Sequence, residues 1–161
     1  MKIGLTGTMS VGKTSLVNAL SKLKQFKGYK FITERSQHLM SLGIPLNTDS
    51  TLKGQTVFLA ERCGELMHDN IITDRTIIDV MAFTLNAKSI SHQDKEAFET
   101  YASEFVREYD YIFYISPYGL EIEDNGIRET DEHYRDLIDF TITTLIKRHG
   151  HKAGKIEKIL G

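Results

Sequence analysis

At 161 residues the chain is long enough for one domain that buries about two-thirds of the surface its unfolded form would expose. Its 20 Lys and Arg against 22 Asp and Glu leave a net charge of −2, which argues against a protein built to coat nucleic acid and makes small molecules the default partners. The single cysteine, Cys63, excludes an internal disulfide, a cysteine-ligated zinc site and a CxxC redox pair, and no run approaches the apolar length needed to span a bilayer.

The first predicted element is a strand starting at Lys2, which leaves no room for a signal or transit peptide ahead of it, so the reading expects a cytoplasmic protein with no membrane partner. This apolar run feeds Gly7-Thr8-Met9-Ser10-Val11-Gly12-Lys13-Thr14, which fits G-x-x-x-x-G-K-[ST] at every fixed position and continues into a helical pattern, as a phosphate-binding loop requires. Glycines let the backbone N–H groups converge on one concavity, and the N-terminus of the following helix adds positive potential there. Lys13 is the candidate for the outer phosphates of a nucleotide. The Thr14 hydroxyl is a candidate ligand of Mg²⁺, which keeps most of its waters and takes few protein ligands.

Leu16, Val17, Leu20 and Leu23 recur at helical spacing, with Lys22, Lys24 and Lys27 near the carboxyl end and Gly28 as the predicted stop. Tyr29 to Thr33 reads as a second strand, and Glu34 and Arg35 fall where the chain leaves it, the place where open α/β sheets put ligand groups. Residues 36–69 are helical in pattern but interrupted by Gly43, Pro45 and Asn47, which predicts two helices joined by a turn. The longer starts near Thr48 or Asp49, carries Leu52, Val57, Leu59, Ala60, Cys63, Leu66 and Met67, and ends by Asp69. Asn70 to Asp74 is a third strand ending in a carboxylate, with Arg75 directly after it.

The next helix, with Ile77, Ile78, Val80, Met81, Ala82, Phe83 and Leu85, is apolar nearly all round and is expected to be buried. Ser91 caps another, with Asp94 at the capping-box position and Phe98, Tyr101, Ala102, Phe105 and Tyr109 as its apolar stripe. Tyr111 to Ile115 is a fourth strand. Pro117 to Thr130 is a polar connection with the turn signal Asp124-Asn125-Gly126, longer than ordinary links and therefore a candidate lid. A last helix directs Tyr134, Leu137, Ile138, Ile142, Leu145 and Ile146 inward and closes at Gly150; residues 151–161 are either a fifth strand or a short helix. The alternation implies an α/β fold with a parallel sheet of about five strands, right-handed crossovers and helices on both faces.

A phosphate loop alone does not separate a kinase from a GTPase or a motor ATPase, so the other strand ends must. Asp74 ends the strand expected beside the loop, where a carboxylate can hold Mg²⁺ through water. Arg75 can reach donor or acceptor phosphates with its planar fork, or can pair with Asp79 at i,i+4. Asp79 is then either that structural partner or a substrate contact. Glu34 can take the proton of an acceptor hydroxyl, and Arg128, in the lid, can stabilise the transferring phosphoryl group only when the lid is closed. Residues 36–69 would form the acceptor pocket, with Gln55 able to read a base edge and Arg62 or Lys53 able to meet an acceptor phosphate if there is one. His133, His149 and His151 lack metal-ligand spacing and read as surface residues.

The loop at Gly7 to Thr14, the step Thr33-Glu34-Arg35, Asp74-Arg75-Thr76 with Asp79 after it, and Glu123-Asp124-Asn125-Gly126-Ile127-Arg128 together resemble P-loop nucleoside and nucleotide kinases over most of residues 1–148. The likeness is nearest to the small group related to ribosylnicotinamide kinases, with deoxynucleoside kinases and thymidylate kinase more distant. It implies a three-layer P-loop NTPase fold, a single kinase domain over residues 1–161 with an acceptor-binding insertion at 36–69 and a lid at 117–130, and ATP and Mg²⁺ as cofactors. It further implies that Glu34 works near the acceptor hydroxyl, that Asp74 and Arg75 handle metal and phosphate, and that Arg128 contacts the transferred phosphate. Deoxynucleoside kinases usually show Glu-Arg-Ser where this chain has Asp74-Arg75-Thr76, and thymidylate kinases usually follow the arginine with an aromatic, so the acceptor stays open.

The expected activity is ATP- and Mg²⁺-dependent phosphoryl transfer to a nucleoside or nucleoside monophosphate. One alternative moves the acceptor onto a modified base or end in DNA or RNA, for which Lys147, Arg148, Lys152, Lys155 and Lys158 make a basic carboxyl end. Another is a P-loop ATPase without an acceptor; the Asn-Lys-x-Asp run by which GTPases read guanine does not occur.

Overall fold

Strands β1 (Lys2–Thr6), β2 (Lys30–Ile32), β3 (Ile71–Asp74), β4 (Tyr111–Ser116) and β5 (Lys155–Leu160) pair in the order β2-β3-β1-β4-β5, every pair parallel. The structure is a computed structural model that describes residues 1–33, 36–118 and 132–160, apart from the side chain of Gln37. Glu34, Arg35, Arg128 and the body of the expected lid lie outside the described residues. Parallel neighbours need crossover connections, so the intervening helices must cover the sheet faces. They are α1 (Lys13–Leu20), α2 (Ser36–Ser41), α3 (Leu52–Glu65), α4 (Ile77–Leu85), α5 (His92–Ala102) and α6 (Glu132–His149).

Two apolar cores, one on each face, make this the three-layer α/β fold that the alternating pattern predicts. Side chains alternate along a strand: on β4, Ile112 and Tyr114 pack with α4 and α6, whereas Tyr111, Phe113 and Ile115 pack on the α1 side. The α1 side holds Ile3, Leu5, Val17 and Ile72. The other face is the larger, with α4 buried between α3, α5 and α6, which accounts for a helix apolar nearly all round. Among the described residues no helix is long and apolar enough to cross a membrane.

Several expected boundaries move. The first helix ends at Leu20, capped by Ser21, and not at Gly28; Lys24–Phe26 is a separate 3-10 turn, and Leu23 is exposed because that turn takes it off the helical stripe. The long helix begins at Leu52 and not near Thr48, because the Thr51 hydroxyl accepts from the Gly54 N–H at 3.1 Å and Asn47–Asp49 forms a 3-10 turn before it. Met67, expected on its stripe, lies beyond its end and is 82% exposed. α5 stops at Ala102 and tightens into a 3-10 segment, Ser103–Glu108; this buries Tyr109 but leaves Tyr101 exposed. Leu137 is likewise half in solvent, while Tyr134, Ile138, Ile142 and Leu145 face inward. The tail is a strand, fully paired with β4.

His149 is a correction of another kind. It is not a free surface residue: its Nε2 lies 2.7 Å from Glu99 Oε1, where Arg148 also donates, tying the end of α6 to α5. Burial pushes the Glu99 carboxyl up, but the hydrogen bonds from His149 and Arg148 outweigh it and hold the group below its ordinary value. A carboxylate lowered in the folded state stabilises at pH above its unfolded value, and that contribution is lost as pH falls through the lowered one. Glu99→Gln should therefore cost about 1 kcal/mol near neutrality, and thermal melts should show the gap to the wild type closing as the medium is made acid. A gap that stays constant into strong acid would mean that packing, not charge, holds this corner.

Candidate active site

Register places the site. Leu5 on β1 lies opposite Asp74 on β3, so the loop leaving β1 and the carboxylate ending β3 emerge side by side at the carboxyl edge of the sheet. The loop needs its glycines here. A Cβ on Gly7 would stand 2.6 Å from the Ile115 carbonyl oxygen, and Gly12 takes a left-handed φ of 78° as it caps α1. Ser10 is also left-handed, with φ 58°. These kinks turn the backbone of residues 7–12 round the start of α1, where Lys13 Nζ donates to the carbonyls of Gly7 (2.8 Å) and Thr8 (2.7 Å). The side chains of Met9 and Val11 pack into the two cores, so the backbone of those positions is what the loop offers an anion. Thr8 ties the loop to α6 through a 3.0 Å bond from its hydroxyl to the Arg135 carbonyl.

Thr14 and Asp74 come together, the Thr14 hydroxyl donating to Asp74 Oδ2. Asp74 is 1% exposed, and its Oδ1 has no hydrogen-bond partner among the described residues. An orphaned carboxylate oxygen beside a hydroxyl is costly to keep buried unless something of positive charge completes it. The pair therefore fits a hard cation with oxygen ligands. Among the described residues no group of three or more His, Cys, Asp or Glu is built to hold an ion, so a metal at Thr14 and Asp74 would rely chiefly on water, as Mg²⁺ does.

Arg75 follows Asp74 with φ 79°, a conformation that strains a side-chain-bearing residue and that tertiary contacts must enforce. Its N–H donates to the Leu5 carbonyl, its carbonyl accepts from Thr73 Oγ1, and its guanidinium lies 4.9 Å from the centroid of the Phe83 ring. Arg62, expected at an acceptor phosphate, is instead 4% exposed behind the site, donating to the Asp74 carbonyl at 3.0 Å and pairing with Glu65 at 2.6 Å. It braces Asp74 from behind.

Asp79 had two roles open to it, and the geometry describes the structural one. Fully buried, it accepts from Thr6 Oγ1 (2.7 Å), the Gly7 N–H (3.2 Å), the Thr76 N–H (2.7 Å) and Thr76 Oγ1 (3.0 Å), with Arg75 at 3.7 Å. Thr76 and Asp79 thus form a capping box that starts α4 and at the same time holds the first residue of the loop. Tyr109 assists by accepting from the Ile77 N–H at 3.3 Å; burial pushes its phenol up, so it stays neutral. An acid three residues after a threonine was a visible cap signal, whereas nothing in the sequence ties Thr6 or Tyr109 to this helix start.

Beside the loop lies an open cleft. Met9, Val80, Phe83, Phe58 and Leu46 make it mainly apolar, and Arg75, Gln55, Ser50, Asn47 and Ser36 supply polar groups. Gln55 is buried on α3 and lines this cleft. Lys53, two residues earlier on the same helix, is exposed and is not among the described lining residues. Ser50, Phe58 and Phe83 escaped the sequence reading. Phe83 lies about two helical turns beyond Arg75, a spacing that signals contact only once Arg75 is known to face that way.

A parallel sheet in this order, with a phosphate loop at its carboxyl edge and a cleft beside it, defines a P-loop nucleotide-binding protein with the kinase fold. The chain belongs to the AAA domain family, whose model matches residues 2–158. Its fold is similar to that of deoxyadenosine kinase from M. mycoides, solved with dCMP and dCDP (TM-score 0.65, 19% identity, covering 99% of this chain and 89% of that one). It is also similar to thymidylate kinase from Ehrlichia chaffeensis (TM-score 0.61, 15% identity, 99% and 86%) and to the YorR protein of Bacillus subtilis in complex with phosphorylated GDP (TM-score 0.53, 14% identity, 100% and 85%). No curated protein sequence matches it. Deoxynucleoside and thymidylate kinases, which the sequence resemblance sets further off than ribosylnicotinamide kinases, are thus among its structural neighbours.

Proposed function

We propose that this protein is an ATP- and Mg²⁺-dependent kinase of a nucleoside or a nucleoside monophosphate, with a nucleoside as the first choice. The observation that carries the reading is the cleft, which shares Met9 with the phosphate loop and has Arg75 in its wall, so that a small acceptor seated there would abut the loop. An ATPase without an acceptor has no need of such a space. The preference for a nucleoside rests on Arg62 and Lys53. The first is engaged with Asp74 and Glu65 and the second points to solvent, which leaves Arg75 as the cation among the described lining residues.

In this reading the loop backbone and Lys13 hold the donor's phosphates. Mg²⁺, carried by Thr14 and through water by Asp74, would neutralise charge on them. Arg75 stabilises charge on the moving phosphoryl group, and Gln55 orients the acceptor base from α3, within the acceptor-binding stretch proposed for residues 36–69. The acceptor oxygen attacks the terminal phosphorus, the bond to the bridging oxygen breaks, and Glu34 takes the hydroxyl proton. Arg35 at the acceptor and Arg128 at the transferred phosphate complete the proposed set on sequence grounds.

The polymer alternative is less favoured. Of the basic carboxyl-end residues, Arg148, Lys152 and Lys155 pair with Glu99, Glu104 and Glu157, which leaves little free charge for a phosphate backbone. A coupled assay of ADP release with Mg-ATP across nucleosides and nucleoside monophosphates tests the proposal. At least one acceptor should raise turnover well over tenfold above acceptor-free hydrolysis; equal rates with and without every acceptor would point to an ATPase instead.

A further inference from the structure

A second buried orphan lies away from the metal pair. Ser50 is fully buried, its hydroxyl has no hydrogen-bond partner among the described residues, and it lines the cleft together with Gln55. Its backbone is firmly held, with its N–H donating to the Asn47 carbonyl at 3.1 Å and its carbonyl accepting from Ser89 Oγ at 2.8 Å. The backbone of the residue is thus fixed just ahead of the Thr51 cap of α3. Leaving a hydroxyl buried without a partner costs stability that an alanine would not cost. Folded proteins keep few such groups, and one at the wall of a ligand cleft has an evident use.

We infer that Ser50 is a specificity-determining residue of the acceptor site, its hydroxyl completing its hydrogen bonds with a polar edge of the acceptor base. This rests on the kinase reading above and adds a residue to it. The hydroxyl can both donate and accept, and its residue belongs to the cleft wall. Met9, Leu46, Phe58 and Val80 make the apolar part of the same wall, and Asn47, Ser36 and Arg75 are its other polar members. A ligand that matches Ser50 and Gln55 therefore gains, and one that presents a carbon there leaves polar groups unpaired, the stronger form of discrimination.

The test uses wild type, Ser50→Ala and Ser50→Cys, the second keeping the shape of the side chain, slightly enlarged, but only a weak donor. Unliganded melting temperature, acceptor-induced thermal shift, and kcat and KM are measured across a panel of nucleosides. Ser50→Ala should melt no lower than the wild type, raise KM for the preferred nucleoside by about 5–20-fold with kcat nearly unchanged, and flatten the preference among bases. Ser50→Cys should change KM in the same direction. Unchanged KM and preference in both variants overturn the assignment while the kinase reading stands, as does a lower melting temperature with preference intact, which marks a structural serine. A wild type that neither phosphorylates nor is thermally shifted by any nucleoside overturns both.

Discussion

Lys13→Met is expected to lower kcat/KM for phosphoryl transfer by about 10³-fold, equivalent to about 4 kcal/mol of transition-state stabilisation. Methionine keeps an unbranched stem where Lys13 runs through a buried loop, so the change removes mainly charge and donors. In the structure Nζ sits inside the curve of the loop, bonded to the carbonyls of Gly7 and Thr8, which holds it where phosphates of a bound nucleotide would lie. Removing a preorganised cation from a water-poor site costs far more than removing one from the surface. Two measurements check this: the coupled assay, and calorimetric titration with an ATP analogue, which needs no acceptor. Activity within tenfold of the wild type would remove Lys13 from the machinery.

Asp79→Ala should cost about 3–5 kcal/mol of stability and lower the melting temperature by about 10 °C or more. The carboxylate is fully buried and receives the two backbone N–H groups of Gly7 and Thr76 and the hydroxyls of Thr6 and Thr76. Alanine would strand these donors, remove half of the capping box of α4, and uncouple the loop from the helix that fixes its entry. Asp79→Asn, which can still accept through one oxygen, should lose about half as much. Urea or thermal melts decide, and a melting temperature within about 2 °C of the wild type for Asp79→Ala would show that the network carries little. The two variants separate roles that the sequence leaves mixed: Lys13 should fail in chemistry while folding, and Asp79 should fail in folding first.

How far the site was legible depended on whether its signal was local. Gly7 to Thr14 carry a loop whose function is set by consecutive backbone geometry, so the fixed residues were visible at once. The positions of Asp74 at the end of β3 and of Gln55 on a buried face of α3 follow from short-range periodicity. The burial of Arg62 behind Asp74 was not legible, since an arginine on a half-polar helix has the same periodicity whether it meets a phosphate or a neighbouring carbonyl. Nor was the pairing of His149 with Glu99, 50 residues apart in the chain. Helix ends slipped for a related reason: Thr51 and Ser21 override the apolar pattern through caps and tertiary packing that a stripe does not encode.

By itself the sequence determined an α/β chain with a phosphate-binding loop after its first strand, because alternation of strands with helices and the backbone demands of the loop are written in neighbouring residues. Only the tertiary structure decided that the tail is a fifth parallel strand, that Asp79 braces the loop, and that Ser50, Gln55, Phe83 and Arg75 share one cleft. Those facts rest on contacts between segments far apart in the chain, where burial and hydrogen-bond partners, not local propensity, settle what each side chain does.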